Sequence, residues 1–129
     1  MKVLLVEPPK ITWELMGGNC VSPPLGLAQL AAVLAEANTE VNIIDCNAAG
    51  INWSGLEKNI EASQPDIVGV TAITPFFHQA LRTAKVAKKV KPKIITTGER
   101  GSEVLDSSYS FCSMFLAVVC LLVSLHKPR

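Results

Sequence analysis

Apolar residues fall along the chain in two kinds of block, short unbroken runs and longer stretches that are apolar round most of a helical turn. Lys2–Val6, KVLLV, is a continuous run stopped by Pro8 and Pro9, as expected of a strand buried on both faces. Pro24 stands where the first turn of a helix tolerates proline, and Ser22 is a candidate cap before it. Leu25, Leu27, Ala28, Leu30, Ala31, Val33 and Leu34 follow, and Asn38 suits the left-handed residue that ends such a helix. Glu40–Asp45, EVNIID, is rich in β-branched residues and predicts a second strand. Ser54 is the expected cap of a short helix, GLEKNIEASQ, ended by Pro65. Asp66–Val70, DIVGV, predicts a third strand. Pro75 opens a helix running to about Val90, and Lys93–Thr97, KIITT, predicts a fourth strand.

Strand and helix alternating in this way argue an α/β fold, a three-layer Rossmann-like parallel sheet with helices on both faces and right-handed crossovers. Such sheets bind ligands beyond the carboxyl ends of their strands. In the flavodoxin-like strand order the crevice opens between the first and third strands. The connection EPPKITWELMGGNCVS, Glu7–Ser22, is far longer than the usual strand-to-helix link of roughly two to six residues. Its length is explained if it lies on that rim, facing the TAITP turn after Val70.

Composition narrows the possibilities. The 129 residues suit one domain, and 49% hydrophobic content is enough for a core. A net charge of +1 and 5% aromatics give no nucleic-acid surface. The basic run KVAKKVKPK, Lys85–Lys93, reads as a solvated helix face at the negative end of the macrodipole. The cysteines Cys20, Cys46, Cys112 and Cys120 form neither a C-x-x-C pair nor an iron–sulfur spacing. The start, MKVLLVEPP, is too short in its apolar run for a secretory signal. A cytoplasmic location is expected, with the thiols behaving as small hydrophobes.

Chemistry on the predicted rim is sparse. Thr71 and Thr74 present hydroxyls beside a helix start, either to hold a polar ligand group or to cap and turn the backbone. Gly17 and Gly18 permit tight turns or a close backbone approach, but lie in no dinucleotide or nucleotide phosphate motif. Glu7 is the acid near the first strand's end, and GVTAIT lacks the aspartate a phospho-receiver needs. His78 is read as an ordinary helix-start side chain before a metal ligand. Trp13 and Trp53 are read as packing residues before walls for a planar ligand. No nucleophile–base–acid set and no paired carboxylates stand at legible spacing, so binding is better supported than catalysis.

The order KVLLVEPP, PPLGLAQLAAVL, EVNIIDCNA, PDIVGVTAIT resembles the N-terminal cobalamin (vitamin B12)-binding domain of cobalamin-dependent radical S-adenosylmethionine enzymes, over roughly residues 1–97. PPLGL after a long loop, paired with PDIVGVTAIT, carries the resemblance. It implies a corrin ring over the carboxyl ends of the strands and a nucleotide tail beside the sheet. The implied cofactor contacts are Pro9, Gly17 and Gly18 in the loop, Pro24, Leu25 and Gly26 at the helix start, Thr71, Ala72 and Thr74 after the third strand, and Gly98. In related mutases the histidine of a D-x-H-x-x-G motif after the first strand ligates cobalt. Here EPPKITWELMGGN holds no histidine. This agrees with the radical-enzyme branch, where histidine ligation is commonly absent, and the resemblance implies a base-off cobalamin with no protein histidine on cobalt and no metal ligand from this chain.

In that branch cobalamin relays methyl groups or supports other radical chemistry, and a following barrel with a C-x-x-x-C-x-x-C motif is catalytic. That motif does not occur here. The resemblance thus implies a binding module, not catalytic alone and without an iron–sulfur cluster, that works with a radical S-adenosylmethionine barrel as a domain or separate subunit. Nucleic-acid and membrane partners are not expected. After the fourth strand the family continues with a G-G-P-H turn, where this chain reads TTGERGSEVLDSSYSFCSMF. Only Gly98 matches, which divides the chain into 1–97 and an atypical 98–129. The apolar tail Phe111–Leu125 spans roughly 22 Å as a helix, short of the ~30 Å hydrocarbon core. It reads as a buried element, a frame-shifted end of a truncated copy, or a membrane segment. The rival functions are a ligand-free Rossmann-like remnant or interaction module, and an accessory subunit of a separate radical enzyme.

Overall fold

The computed structural model describes residues 1–9, 23–71 and 76–98. Seven elements follow in order: β1 (Lys2–Glu7), α1 (Leu25–Glu36), β2 (Glu40–Asp45), α2 (Trp53–Ser63), β3 (Ile67–Val70), α3 (Phe77–Val90) and β4 (Ile95–Gly98). The four strands form one parallel sheet in the order β2-β1-β3-β4. This is the expected flavodoxin-like arrangement.

The unbroken apolar runs of β1 and β3 have a direct cause. Both strands are central, with helices on each face, so neither face meets water. Val3 and Leu5 of β1 and Ile67 of β3 pack with Leu27 and Leu34 of α1. Leu4 and Val6, with Val68 and Val70, point the other way onto Leu56 and Ile60 of α2 and Ala80 and Ala87 of α3. Strand β2 is one of the two edges, and its side chains are exposed or only partly covered. Leu27, Leu56 and Ile60 are sealed from solvent. Each contributes on the order of 1.5–3 kcal/mol by burial.

The helix ends mix expected and unexpected residues. Asn38 does take the left-handed conformation after α1, with φ 55°. The cap of α2, however, is Asn52 and not Ser54. Asn52 is extended, and its Oδ1 accepts the Gly55 N–H at 2.8 Å, while Ser54 already lies inside the helix. That helix closes on a left-handed Gln64 just before Pro65. The third strand starts at Ile67, one residue later than expected; Asp66 before it accepts the Lys2 N–H on its Oδ2 at 2.9 Å and donates its own N–H to the Lys2 carbonyl at 2.9 Å. The fourth begins at Ile95, after a turn in which the Ile94 N–H donates to the Lys91 carbonyl. The proposed cap Ser22, the helix-opening Pro75 and the tail Phe111–Leu125 lie outside the described residues.

Candidate functional site at the carboxyl end of the sheet

The strand order reverses between β1 and β3. From β1 the chain moves outward to β2, then crosses back over β1 to reach β3. The carboxyl ends of β1 and β3 thus stand side by side at a switch point, where open α/β sheets take their ligands. Val6 is aligned with Val70, and the Thr71 N–H donates to the Val6 carbonyl at 3.1 Å. Thr71 is half-buried against the end of β1. Gly98 ends β4 opposite Val70, so Thr71 and Gly98 sit on one rim.

The exit of β1 is fixed from the β2 side. The Cys46 N–H donates to the Glu7 carbonyl at 3.1 Å, and Asn47 Nδ2 donates to the Pro8 carbonyl at 3.0 Å. Asp45 Oδ1 accepts from the Asn47 and Ala48 N–H groups at 3.0 Å each, folding the turn after β2. Glycine serves this turn at Gly50, where φ is 62°. Pro8 is buried and Pro9 half-buried where the chain leaves the sheet.

At the start of α1, Pro24 is half-buried while Leu25 is 73% exposed. Gly26 is exposed too, and a Cβ built there meets nothing within 4 Å. A helical glycine costs about 0.5–1 kcal/mol against alanine. No described protein atom requires it here, so the space over Gly26 is left open beside an uncovered leucine. Gly17, Gly18, Ala72 and Thr74 lie outside the described residues, as does Trp13.

Other candidates resolve toward packing. Trp53 packs against the core, and the Arg82 guanidinium carbon lies 4.3 Å from its ring centroid. His78 is exposed, its ring tilted beside Phe77. Among the described residues no group of three or more His, Cys, Asp or Glu is placed to hold a metal ion. Cys46 is 2% exposed within the core. Burial, then the charges of Asp45 and Glu7, push its thiol up to about 12. It is the small hydrophobe the sequence suggested. One polar group was not marked by any sequence pattern: the carboxamide oxygen of Gln79, in the first turn of α3, is buried without a hydrogen-bond donor.

The sequence profile of the B12 binding domain matches residues 19–98, a span that holds every element after the first strand. The chain belongs to the B12-binding domain family. Within it, the chain is 39% identical over 94 residues to an uncharacterized methyltransferase of Pyrococcus horikoshii, covering 73% of this chain and 20% of that protein. It is 40% identical over 99 residues to the anaerobic magnesium-protoporphyrin IX monomethyl ester cyclase of Rubrivivax gelatinosus, covering 74% of this chain and 17% of that one. Two solved structures share the fold. TsrM of Kitasatospora setae, a radical S-adenosylmethionine methyltransferase, superposes with a TM-score of 0.61 at 21% identity, over 76% of this chain and 19% of its own. The cobalamin-dependent radical enzyme OxsB, with aqua-cobalamin bound, gives 0.62 at 21% identity, over 78% of this chain and 14% of its own. This B12-binding domain therefore spans a fifth or less of the relatives it matches. Among its described residues no helix is long and apolar enough to cross a membrane.

Proposed function

We propose that the chain binds cobalamin over the carboxyl ends of β1 and β3 and serves as the cofactor-holding module of a radical S-adenosylmethionine enzyme. The observation that carries this reading is the B12-binding match over residues 19–98 on a sheet whose order reverses between β1 and β3. The residues at that end fit the group. Leu25 offers uncovered apolar surface, Gly26 offers open space, and Gln79 offers an idle acceptor to a ligand rich in amide N–H donors.

Cobalamin supplies, when bound, a cobalt centre able to relay methyl groups or support radical chemistry. The chain's own residues hold and orient it. Pro9 and the loop bearing Gly17 and Gly18 would border it on one side, and Pro24, Leu25 and Gly26 on another. Thr71, Ala72, Thr74 and Gly98 would line the β3–β4 rim, with Thr71 and Thr74 donating to the corrin side chains or the nucleotide loop. The loop after β1 holds no histidine, which supports a cofactor without a protein histidine on cobalt; the base-off form is carried over from the family resemblance. The relatives' names include a methyltransferase and a ring-forming cyclase, so different chemistries accompany the same module. Substrate choice then belongs to a radical barrel, fused or separate. A reducing cytoplasm suits the buried free thiol of Cys46.

The test is a titration with hydroxocobalamin, followed by desalting and a visible spectrum. Stoichiometric retention with a base-off spectrum is expected. A base-on spectrum would contradict the binding mode. Loss of cobalamin from a chain that circular dichroism shows to be folded would favour the ligand-free remnant.

A further inference from the structure

Gln79 presents an anomaly that the fold does not explain. Its Oε1 is shut off from solvent and meets no donor. Among the described residues it is the one buried side-chain nitrogen or oxygen in that state. Folded proteins rarely leave such a group, because it has given up its water without replacement. Its backbone is engaged in an ordinary way. Its backbone carbonyl accepts the Thr83 hydroxyl at 2.9 Å, one turn along α3.

The position of Gln79 gives the anomaly a direction. The chain leaves β3 at its carboxyl end and enters α3 at Phe77, so the first turn of α3 stands at the ligand end of the sheet. The sheet-facing stripe of this helix is Ala80, Thr83, Ala84 and Ala87, all buried and without an idle polar atom. Gln79 flanks that stripe at the end nearest Thr71. The unmet need is for a donor, not for another acceptor. Cobalamin carries primary carboxamides around its corrin rim, and each presents N–H donors.

We infer that Gln79 Oε1 accepts a hydrogen bond from a peripheral carboxamide N–H of bound cobalamin, making Gln79 a binding residue of the site. This inference rests on the cobalamin reading above. It assigns the oxygen a role that appears only with the ligand present, and it explains why the unliganded chain carries an unmatched acceptor.

The experiment pairs two measurements on the full chain, the thermal midpoint without ligand and the affinity for hydroxocobalamin. Gln79→Met keeps the length of the side chain and removes the acceptor. Its unliganded midpoint should equal or exceed that of the parent, and its affinity should fall roughly ten-fold, the worth of one hydrogen bond. Gln79→Glu retains acceptor oxygens and should bind better than the methionine variant. Cobalamin hydrolysed at single peripheral amides gives a ligand-side check. One such acid should lose affinity for the parent chain and lose little more for Gln79→Met. If the parent binds cobalamin and Gln79→Met binds it equally, the inference is overturned and the cobalamin reading stands. A lowered unliganded midpoint in Gln79→Met would show a partner inside the protein and overturn it too. If the parent itself retains no cobalamin, both fail together.

Discussion

The two ends of the same four strands are finished differently. At the amino end, polar groups meet polar groups. The Lys2 N–H donates to Asp66 Oδ2 at 2.9 Å, Lys91 Nζ lies 3.2 Å from Asp66 Oδ1 and donates to the Pro65 carbonyl at 3.1 Å, and Lys2 Nζ lies 3.3 Å from Glu40 Oε1. At the carboxyl end the backbone is clipped as firmly, through Cys46 to Glu7 and Asn47 to Pro8. Yet side chains there remain unmatched: Leu25 is uncovered, Gly26 borders open space, and Gln79 Oε1 is idle. The amino end closes on itself, whereas the carboxyl end leaves these groups without a protein partner among the described residues.

The largest effect is expected where both ends share a floor. Leu56 is fully buried between α2 and the sheet. Leu56→Ala should cost about 2–5 kcal/mol, transfer and cavity terms together. Urea unfolding checks this, and a loss under about 1 kcal/mol would mean that α2 is not part of the common core. Binding of cobalamin should suffer chiefly through the fraction of unfolded chain, since Leu56 is sealed within the core.

A second test uses pH at the carboxyl end. The Cys46 thiol titrates near 9 when unfolded and is raised to about 12 in the fold, chiefly by burial. Its contribution is complete below pH 9 and is lost as pH rises toward 12, because the unfolded chain ionises first. Stability should therefore fall between pH 9 and 11, and Cys46→Ala should show a shallower fall. Equal slopes in the two chains would place the thiol in contact with water.

Much of this was legible before any coordinates. The continuous runs KVLLV and DIVGV announced central strands, because burial on two faces leaves no polar alternation. Asn38 announced its own left-handed turn. The sequence pointed to Ser54 as the cap of α2, but Asn52 takes that place through its extended backbone, a property absent from composition. Pro65 marked the end of that helix but not the left-handed Gln64 before it. At the site, family-like motifs pointed to Thr71 and Gly98, and the register brings those two to one rim. Gln79 was illegible because its meaning is a missing donor in three dimensions, which no residue spacing encodes.

A third prediction separates folding from binding at a single position. Gly26 lies in the first turn of α1 with no atom near its missing Cβ. Gly26→Ala should raise unliganded stability by about 0.5–1 kcal/mol, the usual gain for filling a helical glycine. The same methyl group should weaken hydroxocobalamin binding if the ligand occupies that space. A variant that is stabilised and binds unchanged would move the ligand away from the start of α1.

The smallest effect belongs to the amino end, and its smallness is the point. Asp66 is exposed, and its carboxyl is held below its ordinary value of 3.8, first by the hydrogen bond from the Lys2 backbone and then by Lys91. A lowered carboxyl pKa stabilises the fold above pH 3.8, where both states are ionised, and that stabilisation is lost as pH falls through the folded value. Asp66→Asn should therefore unfold slightly more easily than the parent at pH 7, and the difference should shrink on acidification below pH 3.8. Exposed pairs are screened, so added salt should narrow the gap as well. Cobalamin affinity should not change, because Asp66 lies at the opposite end of β3 from Thr71. A change in affinity would mean that the two ends are coupled through the sheet, and that the amino end is more than a closure.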